Sequence, residues 1–192
     1  MNSILHTFFV VVALSAAFLF TGYAASSASK SPAIARTETF KLYLDDDFTS
    51  SEREDVYNAA RLWEDASGGA VRFEFITQSV EMDLFDLDSM KNMIWRAEPG
   101  NSTLYIFELF NIGVQIIGYA PIGQYIVLVP NRAASRQQFE AVVAHELGHH
   151  IGLLHTPGVM DSMPRTPCIS RHDLEQLCVL YDCGDDVSSS CP

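Results

Sequence analysis

The sequence predicts a mixed α+β domain, because strand-like and helix-like patterns of apolar residues follow one another along residues 37–181. Alternation of apolar and polar residues indicates strands, whereas apolar residues three or four positions apart indicate helices. The chain has 192 residues, of which 48% are hydrophobic and 19% are charged. This length and composition are typical of one globular domain with a well-developed core.

The first 36 residues are expected to lie outside this domain. Residues 8–20 form an almost unbroken apolar run, and small residues that suit signal peptidase follow it. We therefore predict a signal peptide at residues 1–25, a flexible lead-in at residues 26–36, and a secreted protein, either extracellular or periplasmic. Because no Lys or Arg precedes the apolar run, an uncleaved membrane anchor is the alternative interpretation.

The first predicted elements of the domain are two strands with a helix between them. Residues 40–44 alternate in polarity as a half-buried strand does, and residues 71–75 repeat that pattern. Between them, apolar residues recur at helical spacing over residues 56–63. Ser51 and Glu54 have the spacing of a capping box, which predicts that this helix begins near Ser51.

An acidic cluster between residues 78 and 100 has two interpretations. Asp83, Asp86 and Asp88 offer the carboxylates that a calcium loop requires. Their spacing matches no calcium loop, so we favour carboxylates that simply face solvent. Calcium bound by this cluster is therefore kept only as the less favoured interpretation.

The second half of the domain is predicted to contain more strands and two helices. The strands are expected at residues 103–109, 114–119 and 124–129. A helix is predicted over residues 136–151, because Ser135 and Gln138 have the spacing of a capping box. Ser170 and Asp173 repeat this spacing before a last helix. The first of these helices should turn an apolar face to the core, formed by Phe139, Val142, Val143 and Leu147.

Charge and cysteine content restrict the partners and the compartment. The formal net charge of −12 argues against nucleic acid and anionic membranes as partners. All four cysteines lie near the C-terminus, and an even number in a secreted chain indicates two disulfides. Three pairings are compatible with the sequence. A structural zinc site in these cysteines is the alternative, but no Cys-x-x-Cys pair supports it.

One eleven-residue segment carries most of the side chains that suggest chemistry. On a helix, His145 and His149 project from one face, one turn apart, so both imidazoles can bind one metal ion. Gly152 is expected to form a sharp helix-to-loop turn with positive φ, which brings His155 to the same ion. Three neutral nitrogens leave a fourth position for water, as in catalytic zinc sites, and Glu146 lies where its carboxylate can reach that water.

The spacing His-Glu-x-x-His-x-x-Gly-x-x-His in this segment resembles the signature of the metzincin clan of zinc endopeptidases. The resemblance covers residues 37–181, and the last helix is similar to that of the matrixin-like branch. It implies a zincin fold with a twisted, mostly parallel sheet, an antiparallel edge strand, an active-site helix and a small C-terminal subdomain with one helix. The implied catalytic domain at residues 37–192 has an upper subdomain at residues 37–152 and a lower subdomain at residues 153–192.

The resemblance also implies roles outside the motif. Met160 follows a Pro-Gly turn and would be the Met-turn residue, a hydrophobic floor beneath the imidazoles, with Met163 as the alternative. The strand at residues 114–119 would be the edge that binds an extended peptide through its backbone. The residues expected to contact the substrate there are Ile117, Gly118, Tyr119 and Ala120.

The implied function is that of a secreted zinc endopeptidase with one catalytic Zn²⁺, in which Glu146 is the general base for a zinc-activated water. The expected partners are protein or peptide substrates and not nucleic acid, with a membrane as partner only if the N-terminal segment is uncleaved. We expect a monomer. The alternative is a secreted zinc-binding interaction module without significant catalysis. His150 lies about 100° around the helix from His149 and is assigned to the surface or to the surroundings of the site, outside the ligand set.

Overall fold

The structure is a computed structural model that describes residues 37–80, 90–99, 116–183 and 187–191. Several predicted features lie outside these ranges, namely the signal peptide and lead-in, the acidic cluster at residues 83–88, the strand at residues 103–109 and the first two residues of the strand at residues 114–119. Across the described ranges, no helix combines the length and the apolar content that crossing a bilayer requires.

Strands and helices alternate along the described residues. The strands are β1 (Glu38–Asp45), β2 (Val71–Gln78), β3 (Met93–Arg96), β4 (Gly118–Tyr119) and β5 (Ile126–Leu128). The α-helices are α1 (Ser50–Ala66), α2 (Arg136–His150) and α3 (Arg171–Tyr181), and a 3₁₀ turn at Pro130–Arg132 leads into α2.

The strands form one sheet in the order β2-β1-β3-β5-β4. β1 is parallel to β2 and to β3, and β3 is parallel to β5. β4 is antiparallel to β5 and ends the sheet among the residues described. The sheet therefore has the predicted form, mostly parallel with an antiparallel edge strand.

The first helix begins two residues earlier than the sequence pattern predicted. Thr49 has an extended backbone, and its hydroxyl accepts a hydrogen bond from the backbone N–H of Glu52 at 3.3 Å. The Glu52 carboxylate accepts one from the backbone N–H of Thr49 at 2.7 Å, which completes a capping box. The predicted capping box of Ser51 and Glu54 is wrong, because Ser51 already lies inside the helix.

The larger of two apolar clusters in the described residues joins β1, α1 and α2. Trp63 of α1 is fully buried, and its indole N–H donates to the carbonyl of Ala144 in α2 at 2.8 Å. Burial of each large apolar side chain stabilises the fold by about 1.5–3 kcal/mol. This core therefore holds α2 firmly against α1 and the sheet. The predicted apolar face of α2 is confirmed, since all of its members are buried, namely Phe139, Val142, Val143 and Leu147.

β3 is the described strand that the sequence pattern did not reveal. It has only four residues, and its central pair, Ile94 and Trp95, is buried on opposite faces of the sheet. A strand covered on both faces lacks the alternation of apolar and polar residues that marks a half-buried strand.

The C-terminal region is tied together by caps and disulfides. The predicted capping box of α3 is confirmed, because Ser170 and Asp173 each accept a hydrogen bond from the backbone N–H of the other. Two disulfides are present, as predicted, and they resolve the pairing as Cys168 with Cys191 and Cys178 with Cys183.

Candidate metal centre and active site

The end of α2 fixes the path of the chain through the centre. Gly152 has a φ of +99°, which side-chain-bearing residues rarely adopt. Its N–H donates to the carbonyl of His149 at 3.0 Å, and the N–H of Leu153 donates to that of Gly148 at 2.9 Å. These two bonds form a Schellman motif, so the helix ends sharply and the following residues turn back toward the helix face that carries His145 and His149.

This turn brings three imidazoles together. One ring nitrogen from each of His145, His149 and His155 lies within 4.8 Å of the other two. The Nε2 atoms of His149 and His155 are 3.1 Å apart. Nitrogen ligands on a tetrahedral zinc ion, at about 2.0–2.1 Å from the metal, lie about 3.3–3.4 Å from one another. The three side chains therefore fit a zinc ion with little movement.

The two helical histidines are oriented by backbone carbonyls. Nδ1 of His145 lies 2.9 Å from the carbonyl oxygen of Val159, and Nδ1 of His149 lies 2.9 Å from that of Leu153. Because a carbonyl only accepts, each Nδ1 carries the hydrogen and each Nε2 keeps a lone pair for a metal. Burial lowers the pKa of His145 to about 4, against the opposing effect of the Val159 hydrogen bond, and burial also lowers the pKa of His149. Both rings are thus neutral at neutral pH, which is the form that binds metal.

The side chain of Glu146 extends from α2 toward the edge strand β4. Its side chain is only 5% exposed, and a Cβ at Gly118 of β4 would lie 2.6 Å from its Oε1 atom. Burial raises the pKa of the Glu146 carboxyl to about 8, while a hydrogen bond from the backbone N–H of Ala120 opposes this rise. A cation bound by the neighbouring imidazoles would favour the charged carboxylate.

One cavity of about 400 Å³ contains these groups. Its walls come from the segment around β4 and from the loop that follows His155, and the predicted substrate-edge residues all line it, namely Ile117, Gly118, Tyr119 and Ala120. Ile116, Val142 and Pro164 make part of its wall apolar. Pockets of this size accommodate small ligands or a single side chain of a larger one.

The two methionines that follow the motif occupy different environments. Met160 is fully buried, and a Cβ at Gly148 of α2 would lie 2.3 Å from its sulfur, so it packs directly against the metal-bearing helix. Met163 is 72% exposed and lines the mouth of the cavity. Only Met160 has the burial that a hydrophobic floor requires, and its Met-turn role stays a prediction.

His150 points away from the metal cluster. It is 3% exposed, and its ring lies edge-on to that of Phe40, with 5.9 Å between the ring centroids. Within the described ranges its Nδ1 atom has no hydrogen-bond partner. Of the two locations predicted for His150, the surface is wrong, because Phe40 of β1 packs against this side of α2.

The sequence pattern missed two residues of α3 that contact the metal-bearing loop. Asp173 is fully buried and accepts hydrogen bonds from the Thr156 hydroxyl at 2.7 Å and from the Val159 backbone N–H at 3.2 Å. Gln176 contacts the same loop. These partners are 14 or more residues apart in sequence, so no local spacing reveals them.

No protein-family model matches the sequence, and no curated protein matches it significantly. The structure is similar to that of archaemetzincin from Methanopyrus kandleri, with a TM-score of 0.51 and 16% sequence identity, over 79% of this chain and 98% of that one. It also matches high choriolytic enzyme 1, a hatching enzyme zinc-protease from Oryzias latipes, with a TM-score of 0.42 and 14% identity, over 77% of this chain and 91% of that one. Of these two matches, the similarity to archaemetzincin is high enough to support a common fold, and at this sequence identity it supports nothing beyond the fold. The chain therefore has the zincin fold that the resemblance implied, as archaemetzincin does, while its place in the matrixin-like branch stays a prediction.

Proposed function

We propose that the chain is a secreted zinc endopeptidase that hydrolyses internal peptide bonds of protein or peptide substrates. The observation that carries the proposal is that three imidazoles and a buried carboxylate share one cavity with a sheet edge. His145, His149 and His155 would hold the single catalytic ion. A merely structural metal site has no need of a carboxylate such as Glu146 beside its ligands.

Zinc in this position would lower the pKa of a water molecule and polarise the scissile carbonyl. Glu146 takes a proton from the attacking water and passes it to the leaving amine as the C–N bond breaks. The hydrogen bond from the Ala120 N–H holds its carboxylate, and burial between α2 and β4 excludes bulk water from it. The products are a new carboxylate and a new amino terminus, and no covalent bond to the enzyme forms.

The edge strand supplies the means to bind an extended peptide. β4 pairs with β5 through one of its edges, and among the described residues no strand covers the other. An extended peptide that adds to such an edge pairs with it through backbone hydrogen bonds, which gives affinity that depends little on substrate sequence. The apolar wall formed by Ile116, Val142 and Pro164 suits an apolar side chain of the substrate.

The two disulfides support an oxidising compartment, in agreement with secretion. Disulfides of this kind persist outside the cytosol, where thiols are not kept reduced. Secretion is part of the proposal, together with cleavage of the predicted signal peptide.

The proposal is tested by incubating the purified protein with casein and identifying the new amino termini by mass spectrometry. We expect cleavage at internal bonds, loss of cleavage when 1,10-phenanthroline removes the metal, and recovery when zinc is added back. Cleavage that is insensitive to the chelator would contradict the zinc mechanism. A zinc-loaded protein that leaves casein intact would instead support the alternative of a zinc-binding interaction module.

A further inference from the structure

The third histidine of the cluster is held differently from the other two. His145 and His149 lie on α2, and a backbone carbonyl orients each ring. His155 lies in the exposed loop after the Schellman turn, and no hydrogen bond from the described part of the chain reaches its Nδ1 atom. Its position therefore depends on how the backbone on either side of it is held.

Gln176 of α3 contacts the residues on both sides of His155, through the backbone of Leu154 and the hydroxyl of Thr156. Its Oε1 atom accepts from the backbone N–H of Leu154 at 3.1 Å, and its Nε2 atom donates to the carbonyl of Leu154 at 3.1 Å. The same Nε2 atom donates to the hydroxyl of Thr156 at 3.3 Å. A primary amide offers a donor and an acceptor side by side, so one side chain satisfies both backbone groups of the residue before His155 and contacts the residue after it.

Packing cannot replace these hydrogen bonds. The Leu154 side chain is 59% exposed, so it does not anchor the loop in the core. Thr156 is held further by its hydroxyl bond to Asp173, one turn before Gln176 on α3, and by a 3.1 Å bond from its N–H to the carbonyl of Met160. The loop is thus fixed to one face of α3 through polar contacts.

We propose that Gln176 is a positioning residue for the third metal ligand, because it holds the Leu154–Thr156 backbone so that His155 meets the ion already bound by the two helical histidines. This inference rests on the proposed zinc function. Groups that orient metal ligands typically change metal affinity by about 10–100-fold when they are removed.

The test is the zinc dissociation constant of a Gln176→Met variant, measured by competition with a chromogenic chelator. Methionine keeps the length of the side chain but makes none of the three hydrogen bonds. We expect the dissociation constant to rise about tenfold, and the Leu154 amide to exchange its hydrogen faster in the metal-free protein. A Gln176→Glu variant keeps the acceptor for the Leu154 N–H but loses both donors, so its zinc affinity should also fall.

Val179→Met is the matched control, because Val179 is 85% exposed on the same helix and its replacement changes no hydrogen bond or charge. Its zinc affinity should equal that of the wild type. Wild-type zinc affinity in both Gln176 variants, with unchanged exchange at Leu154, overturns the inference. A wild-type protein that binds no zinc overturns both this inference and the proposed function, whereas one that binds zinc but cleaves no protein overturns the proposed function alone.

Discussion

Replacement of Glu146 by glutamine is expected to slow peptide hydrolysis by about 10²–10⁴-fold, the usual contribution of a general base. Glutamine has nearly the same shape, so it fits the tight space beside Gly118, where an added Cβ would lie 2.6 Å from Oε1 of Glu146. Its amide oxygen can still accept the hydrogen bond from the Ala120 N–H. What it cannot do is take a proton from water.

The measurement is the cleavage rate of a quenched fluorescent peptide, with zinc content determined on the same preparation. Zinc should stay at one ion per chain, since Glu146 is not a ligand in the proposed site. A Glu146→Gln variant that cleaves peptide at a rate near that of the wild type would remove Glu146 from the mechanism.

Replacement of His149 by alanine is expected to weaken zinc binding by more than about 100-fold, because loss of even an outer-shell partner costs about 10–100-fold. His149 lies closest to the third ligand, with 3.1 Å between the Nε2 atoms of His149 and His155. The remaining two imidazoles would leave a site with too few protein ligands for catalytic zinc. The change is measured as zinc per chain after dialysis against a weak chelator.

The neighbouring histidine provides the control. A His150→Leu variant keeps a buried apolar side chain against Phe40. It removes Nδ1, which has no hydrogen-bond partner in the described part of the molecule, and the hydrogen bond that the ring makes with the backbone of Gln124. It should retain one zinc per chain. If His150→Leu lost zinc and His149→Ala retained it, the assignment of the ligand set would be reversed.

Local spacing predicted the features of the site that lie within one helix and its cap. The i, i+4 spacing of His145 and His149 places both rings on one face of any α-helix. The cap at Ser135 and the turn at Gly152 follow from side chains whose effect on the backbone is local. For the same reason, the order of strands and helices along the chain was largely predictable.

Features that depend on contacts distant in sequence could not be predicted in this way. β3 has no alternating pattern, because its central residues are buried on both faces of the sheet. The interior position of His150 depends on its contact with Phe40 of β1, which is more than a hundred residues earlier in the sequence. Asp173 and Gln176 reach the metal-bearing loop only because α3 folds back against it.

The central claim is that one zinc ion at the three histidines makes this protein a peptidase. The most direct measurement titrates zinc into the metal-free protein and records bound zinc and peptide cleavage together. Cleavage should rise in proportion to bound zinc and reach its maximum at one ion per chain. Full cleavage before zinc is added, or no cleavage once one ion is bound, would contradict the account.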